Sequence, residues 1–460
     1  MYRVAPSRWL SGAARAPAAL LPVGMLFAAT GAGSLTVTAL MTSFALIGLA
    51  LSVPCAGAAA DRFGQRAVLL ATAGLHVILL VLILAVIPAV NPGPGQEPSW
   101  TLLAAALVFS FAAGLTAPAV SAMNRVRGWH LHRHRPERGI AAGPWMRREA
   151  SVDDLLLVLS PLLVGLLSGS LGAGAGLMVA ALLGALAVPA YAMEPIAAEL
   201  DATHETTRPD EDGPLEPLRV PLTAVEHGQQ MVIEARGFAP EHPGEPTHPV
   251  GPGGRAGSSS LAGAPAVSLG LGIVAGGSAI VALIIAQDVH RPGAAGLLLG
   301  CCGAAGMLSS RWLPARFTAL DVPRRRRLFA VLLAWWAALL AAVVATILAQ
   351  QGGLPGLVLS AVMFLGVGVS LGVLVVEVYR VVARRAPTAD LVSTLSTVAG
   401  ALLVGLVLGL SAAGLVAEHA GRPWAAAVVV GGALVPAMLT LRPQRSAPPV
   451  QGRASRTESL

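Results

Sequence analysis

The sequence predicts an all-α membrane protein with twelve transmembrane helices. Three observations support this prediction: the composition, the length of the apolar stretches, and the distribution of the arginines. Of 460 residues, 55% are hydrophobic and only 12% are charged, whereas a soluble domain carries roughly 25% charged residues. The mean hydropathy of +0.71 also excludes a disordered chain, which needs low hydrophobicity and high net charge.

The apolar stretches have the length of membrane helices. A helix needs about 20 apolar residues to cross the hydrocarbon core, and uninterrupted stretches of this length exclude the alternating strands of about 10 residues that form outer-membrane barrels. Pro17 and Pro22 make the first span the weakest. The twelve predicted spans are 16–33, 35–57, 67–90, 101–123, 151–169, 174–193, 266–286, 293–310, 328–350, 354–379, 389–416 and 423–441.

The arginines predict the orientation of the spans. With the N-terminus in the cytoplasm, the short cytoplasmic segments hold 25 of the 31 basic residues, all of which are arginine. The extracytoplasmic loops hold only Arg291 and Arg422, and the central connector holds the other 4. This asymmetry follows the positive-inside rule. We therefore expect a multi-pass protein of the cytoplasmic (inner) membrane with both termini in the cytoplasm, whose partner is the lipid bilayer and not a nucleic acid.

The spans divide six and six around an acidic connector. Residues 194–264 contain 12 acidic residues and 4 arginines, and their low hydrophobicity predicts a mostly disordered loop. Leu222 to Phe238 is the one stretch there that suits a short helix. A solvated linker is favoured over a metal site at the four scattered histidines. The predicted domains are a bundle over 1–193, a cytoplasmic acidic loop over 194–265, a bundle over 266–441 and a cytoplasmic tail over 442–460.

The turn between the second and third spans carries a specific pattern, G-x-x-x-D-R-x-G-x-R. We expect Gly57 to allow close approach of a neighbouring helix and Gly64 to permit a backbone reversal that a side chain hinders. Asp61 can face the positive end of a helix, and Arg62 and Arg66 can pair with acids or lipid headgroups. Such residues suit a charged hinge at the membrane surface.

This pattern, at this position, resembles motif A of the major facilitator superfamily. Two further stretches, 147–161 and 384–390, are similar to the fifth and eleventh helices of an actinobacterial-type subset that includes drug and solute efflux proteins. The counterpart of motif A in the second half, near residues 309–312, is degenerate. The resemblance implies two pseudo-symmetric six-helix bundles that rock to give alternating access. It also implies a motif A gate whose partners include Asp390, Arg380 and Arg385.

The membrane acids have two possible roles. Glu149, Asp153 and Asp154 begin the fifth span, and Glu377 lies near the end of the tenth. One interpretation is stabilisation, with Arg62, Arg66 or Arg148 as partners of the fifth-span acids and Arg380 or Arg384 as a partner of Glu377. The other is proton coupling, since ionisable groups in membrane spans are often functional. For coupling, Asp154 ranks first and Glu377 second. His76 is interpreted as a structural residue.

Few polar residues are available to line a central cavity. Their scarcity favours an amphipathic or lipophilic small-molecule substrate, and export is favoured because such molecules enter cells unaided. The resulting hypothesis is a monomeric secondary transporter, driven by the proton gradient. The alternatives are a solute importer of the same fold and a membrane scaffold or sensor that acts through its acidic loop. The predicted cavity residues are Thr30, Ser110, Thr116, Ser278, Ser360 and Ser370.

The sequence contains none of the common catalytic or nucleotide-binding motifs. It has no H-E-x-x-H, G-x-S-x-G or Walker A pattern, so we expect neither an enzyme nor a chain that hydrolyses ATP. The cysteines, Cys55, Cys301 and Cys302, form no C-x-x-C pair. We therefore expect no cofactor and no metal site.

The topology is testable by cysteine accessibility. In a variant without native cysteines, a cysteine at Ser99 should react with an impermeant reagent added outside the cell. A cysteine at Ser258 should react only after the membrane is permeabilised, because the arginine asymmetry places the acidic loop in the cytoplasm. Labelling of both positions from outside would contradict the twelve-span topology.

Overall fold

The computed structural model describes residues 8–90, 99–134, 142–198, 200, 263–316, 322–350, 353–385 and 391–441. Within these ranges the ordered elements are helices, and twelve spans are long and apolar enough to cross a membrane. The all-α, twelve-span prediction is therefore confirmed. The helices are α1 (Arg8–Ala28), α2 (Leu35–Phe63), α3 (Gln65–Val90), α4 (Trp100–Leu115), α5 (Val120–His134), α6 (Ala142–Leu171), α7 (Ala175–Ala192), α8 (Gly263–Asp288), α9 (Gly293–Arg316), α10 (Val322–Gln350), α11 (Gly353–Arg385), α12 (Leu391–His419) and α13 (Ala425–Leu441).

Several helices extend beyond the predicted spans. The first begins at Arg8, the fifth span begins within a helix that starts at Ala142, and the tenth continues to Arg385. These extra turns are polar, so a hydropathy window misses them. They bring charged residues into regular helix at one end of the bundle. The stretch 222–238, for which a helix was suggested, lies outside the described residues.

The fourth span, Trp100–Gly128, is broken into α4 and α5. Pro118 lies at the break, and proline has no backbone N–H to continue the helical hydrogen bonds. The carbonyl oxygen of Ala113 lies 2.8 Å from Nδ1 of His76, a fully buried residue of α3. The side chain of His76 thus stabilises the end of α4, in agreement with its structural interpretation.

The two six-helix halves have matching internal contacts. In the first half α1 packs on α7, α2 on α4, and α3 on both α4 and α7. In the second half the equivalent pairs are α8 with α13, α9 with α11, and α10 with both α11 and α13. The halves meet through α2 with α12 and through α6 with α9, which are again equivalent pairs. This is the pseudo-symmetry expected of two related bundles.

Glycines bring α6 and α9 together. A Cβ atom built at Gly296 would overlap the carbonyl oxygen of Pro161 and the Cα atom of Gly165. Small residues allow such backbone contact between membrane helices, where packing rather than the hydrophobic effect drives association. This crossing is therefore a close contact between the halves.

The contact between α2 and α12 is confined to one end. We call the end of the bundle at residues 62–66 the arginine-rich end and the opposite end the arginine-poor end. At the arginine-poor end, Glu418 accepts hydrogen bonds from Oγ of Ser34 (2.7 Å) and the backbone N–H of Thr36 (2.9 Å). Further along, Oγ of Ser43 lies 3.0 Å from Oγ of Ser411. These bonds close the arginine-poor end.

Both helices become exposed toward the arginine-rich end. In α2, Leu51, Val53 and Phe63 are exposed, and buried positions such as Ala56 and Ala60 lie on one remaining face. These parts of α2 therefore pack on one side only. In α12 the exposed residues of the same region are Ser393, Ser396, Thr397, Ala399 and Gly400.

Candidate functional site

Charged residues of the first half form a buried cluster near the arginine-rich end. Arg15 of α1 is 4% exposed and Glu149 of α6 is 3% exposed, and Nη2 of Arg15 pairs with Oε2 of Glu149. The Nη1 atom of Arg15 lies 3.0 Å from Oδ1 of Asp153. A buried charge is costly unless it is paired. Arg15 pairs with both acids, and these ion pairs hold α1 against α6.

Side chains of α5 complete the coordination of these two acids. Oδ2 of Asp153 accepts hydrogen bonds from Nη2 of Arg125 at 2.6 Å and from Oγ of Ser121 at 2.7 Å. Oε2 of Glu149 accepts a hydrogen bond from Nδ2 of Asn124 at 2.7 Å. Both carboxylates are thus bound by donors from two other helices, which makes them positioning groups within the first half.

The cluster continues to α3 and α7. The hydroxyl of Tyr191 donates to Oδ1 of Asn124 at 3.0 Å, and the guanidinium of Arg127 lies 3.9 Å from the centre of the Tyr191 ring. Arg127 is fully buried, and it also contacts Glu194 (3.1 Å) and Gln65 (3.3 Å). A continuous polar network thus joins α1, α3, α5, α6 and α7, so we expect this half to move as a rigid unit.

The second half has its own buried charge cluster. Oε1 of Glu377, a fully buried residue of α11, lies 2.7 Å from Nη2 of Arg325 and 3.0 Å from Nη1 of Arg380. Arg325 comes from α10. The cluster joins these helices at the arginine-rich end, as the network of the first half does on its side.

One ion pair crosses between the halves at the arginine-rich end. Nη2 of Arg311, in α9, lies 3.0 Å from Oδ2 of Asp154 and 3.3 Å from Oγ of Ser151, both in α6. The side chains of Arg311 and Asp154 are 40% and 27% exposed. Exposed pairs contribute little to stability, about 0–1 kcal/mol. This contact is therefore suited to be made and broken during movement.

The sequence identified the four acids but, apart from Arg380, not the arginine partners that the structure describes. The partners that the structure describes are Arg15, Arg125 and Arg311 for the sixth helix, and Arg325 in addition to the expected Arg380 for Glu377. The expected partners of the sixth-helix acids were Arg62, Arg66 and Arg148. Apart from Glu377–Arg380, which lies within one helix, the pairs join residues far apart in the chain, and no local pattern marks them.

The motif A residues lie at the arginine-rich end of the bundle. Gly64 has a φ of 84°, in the left-handed region that favours glycine, and it forms the turn from α2 to α3. Asp61, Arg62 and Arg66 are exposed. The close approach expected at Gly57 is wrong for this arrangement, since no described atom lies within 4 Å of a Cβ built there. The expected gate partner Asp390 lies outside the described residues, and the side chain of Arg385 is likewise not described.

The hydroxyl residues predicted to line a cavity are mostly bonded within their own helices. Ser110, Ser360 and Ser370 are buried and donate to the carbonyl four residues earlier, as serines in membrane helices commonly do. Thr116 bonds to Ala112 in the same way. The hydroxyl of Ser278 is buried without a described partner. Thr30 is the member of this set that lines the described cavity, at the arginine-poor end.

The described residues contain no group of three or more histidine, cysteine, aspartate or glutamate residues that could hold a metal ion. The three histidines at 130, 132 and 134 follow one another at the end of α5.

Comparison with known proteins finds similarity in structure alone. No family model and no curated protein sequence matches the chain. A bacterial homologue of the iron transporter ferroportin, in an inward-facing state, aligns with a TM-score of 0.63 and 16% identity over 94% of this chain and 96% of its own. The nucleoside transporter NupG aligns with a TM-score of 0.60 and 14% identity over 95% of this chain and 100% of its own.

A third solved structure, the D-xylose-proton symporter, aligns with a TM-score of 0.57 and 12% identity over 94% of this chain and 95% of its own. The chain has the major facilitator fold. At these identities the likeness concerns the fold, and it agrees with the twelve spans and the matching halves. The protein is thus a multi-pass membrane protein of this fold.

The buried Glu377 and the partly exposed Asp154 should contribute differently to the stability of the folded protein. Glu377→Gln removes the charge that balances two arginines in a buried site, and losing one partner of a buried pair costs about 3–5 kcal/mol. Asp154→Asn is the matched control, because its exposed pair contributes about 0–1 kcal/mol. Thermal unfolding of the purified variants in one detergent should show a large fall for Glu377→Gln and a small change for Asp154→Asn. Equal unfolding temperatures would contradict the structural role of Glu377.

Proposed function

We propose that the protein is a secondary active transporter that exports a small amphipathic or lipophilic molecule in exchange for protons. In this proposal it is a monomer of the cytoplasmic membrane with both termini in the cytoplasm. The observation that carries the proposal is the Asp154–Arg311 pair at 3.0 Å. It is a carboxylate–guanidinium contact between two halves, each of which contains buried ion pairs of its own.

The location of Asp154 supports a coupling role. A proton on its carboxylate removes the attraction to Arg311, and Ser151 offers only a neutral contact at 3.3 Å. Protonation would therefore weaken the contact between α6 and α9 at the arginine-rich end. Glu149, Asp153 and Glu377 instead bind arginines of their own half. These three acids stay candidates for coupling, ranked after Asp154.

In the same proposed transport cycle, motif A acts as a gate. Asp61, Arg62 and Arg66 lie at the end where α2 and α12 are exposed. When the halves close at this end, these residues would meet the start of α12, with Asp390 and Arg385 as their proposed partners. In the proposal, this network holds the arginine-rich end closed while the other end opens.

The polar side chains support the proposed substrate class. The hydroxyls of Ser110, Ser360 and Ser370 are bonded within their own helices. A sugar or an amino acid needs several convergent polar groups in its site. An amphipathic molecule needs fewer. The fold neighbours include a nucleoside transporter and a D-xylose-proton symporter, so the fold accommodates both organic solutes and proton coupling.

Proton coupling through Asp154 is testable in proteoliposomes. Radiolabelled chloramphenicol, an uncharged amphipathic molecule, serves as the transported probe. We expect the wild-type protein to accumulate the probe in response to an imposed pH gradient. Asp154→Asn should abolish this accumulation but retain exchange of labelled for unlabelled probe at equal pH, because exchange needs no net proton movement.

Glu418→Gln is a matched control, since Glu418 also joins the halves but at the arginine-poor end. It should retain gradient-driven accumulation. If Asp154→Asn and Glu377→Gln both retain gradient-driven transport, the assignment of coupling to these acids is wrong. Accumulation of the probe with the opposite dependence on the pH gradient would indicate import rather than export.

A further inference from the structure

A cavity of about 470 Å³ lies between the two halves at the arginine-poor end. Pockets for small molecules have volumes of about 300–1,000 Å³. The first half contributes Phe27, Thr30 and Ser168 to its walls, and the second half contributes Leu283, Gln287 and His290. Any molecule in this cavity would contact both halves at once.

Ser168 lines the cavity, and its hydroxyl has no described hydrogen-bond partner. Its residue is 5% exposed, and its Oγ atom is buried with no described hydrogen-bond partner. Ser160 and Ser170 of the same helix instead donate to carbonyls of their own helix. Buried polar groups in proteins are almost always hydrogen-bonded. The hydroxyl of Ser168 is therefore a candidate hydrogen-bonding group for a bound molecule.

His290 is held at the cavity by an unfavourable backbone conformation. Its φ is 53°, and it is the one described non-glycine residue with positive φ. The backbone N–H of His290 donates to the carbonyl of Gln287 (3.1 Å), and that of Arg291 donates to Ala286 (2.9 Å). These bonds form the helix-ending turn in which glycine is normally found. The conformation places both His290 and Gln287 at the cavity.

The walls combine hydrogen-bonding groups with apolar surface. Thr30, Ser168, Gln287 and His290 supply hydroxyl, amide and imidazole groups, and none of the described lining residues is an arginine, aspartate or glutamate. Phe27 and Leu283 supply the apolar part. Such a site disfavours a molecule with a full charge, because that charge would lose its hydration without gaining a counter-ion.

We propose that this cavity is a binding site for an uncharged amphipathic molecule, with the hydroxyl of Ser168 and the side chain of His290 as its hydrogen-bonding groups. The proposal deepens the proposed function and rests on it for the identity of the ligand as the cargo. The site lies at the end opposite to motif A, so an exported molecule would occupy it last before release. By contacting both halves, the ligand stabilises the closed arginine-poor end.

The test is equilibrium binding of radiolabelled chloramphenicol to the full-length protein in lipid nanodiscs, with empty nanodiscs subtracted. Ser168→Leu fills the cavity and removes the hydroxyl, and it should weaken binding by about tenfold or more. Ser170→Leu is the matched control, because Ser170 is exposed and lies two residues away on the same helix. It should bind the probe as the wild type does.

A second variant keeps the turn while it removes the imidazole. Glycine is the favoured residue at this turn, so His290→Gly should unfold at the same or a higher temperature than the wild type and still bind the probe more weakly. If Ser168→Leu does not fold, binding of the probe by His290→Gly tests the proposed site. Wild-type binding by both His290→Gly and Ser168→Leu overturns the proposal, and so does the absence of saturable binding to the wild-type protein.

The binding experiment and the transport experiment test the proposed site and the proposed function separately. Saturable binding that depends on Ser168 and His290, without any gradient-driven accumulation, supports the site and contradicts the transporter. Gradient-driven accumulation that Ser168→Leu and His290→Gly leave unchanged, together with unchanged binding, supports the transporter and contradicts the site.

Discussion

The ion pair between Arg15 and Glu149 shows the constraint on which the rest of the structure depends. A charged side chain inside a membrane bundle must find an opposite charge and further hydrogen bonds, because the hydrocarbon offers neither. Arg15 meets both Glu149 and Asp153, and Asn124 and Arg125 satisfy the remaining oxygens. The helices α1, α5 and α6, which carry these groups, are therefore fixed relative to one another, and in the proposed function the half that contains them moves as one unit.

The contacts between the halves are of a different kind. Gly165 and Gly296 allow backbone contact without any charge, and the hydrogen bonds at Glu418 involve exposed groups. The Asp154–Arg311 pair is partly exposed as well. Strong bonds within the halves and weaker bonds between them are what rigid-body rocking requires. The same division separates residues that hold the fold from residues that are free to take part in a cycle.

Much of the fold was predictable from the sequence, because hydropathy depends on local composition. The twelve spans and the division into halves follow from apolar stretches and from the positions of the arginines. The break in the fourth span was missed, although Pro118 marks it. Membrane helices often contain proline without ending, so the residue alone does not decide between a kink and a break.

The candidate site was only half predictable. Acids inside spans are rare enough to be conspicuous, and Glu149 and Glu377 were both named. Arg15 was not, because an arginine near an arginine-rich terminus looks like a flanking residue, and its partner is 134 positions away. The cavity around Ser168 and His290 was also missed, since its walls come from both halves and His290 owes its position to a turn that usually contains glycine.

The central claim is that two internally rigid halves move about the α2–α12 and α6–α9 contacts. Distances between spin labels test it directly in the full-length protein in lipid. One labelled pair, at Gly57 and Gly400, lies on the exposed arginine-rich parts of α2 and α12, and another, at Ser99 and Arg422, lies at the arginine-poor end. On changing the pH we predict reciprocal shifts, in which the first distance shortens as the second lengthens. Fixed distances in both pairs, or changes of the same sign, would contradict the account.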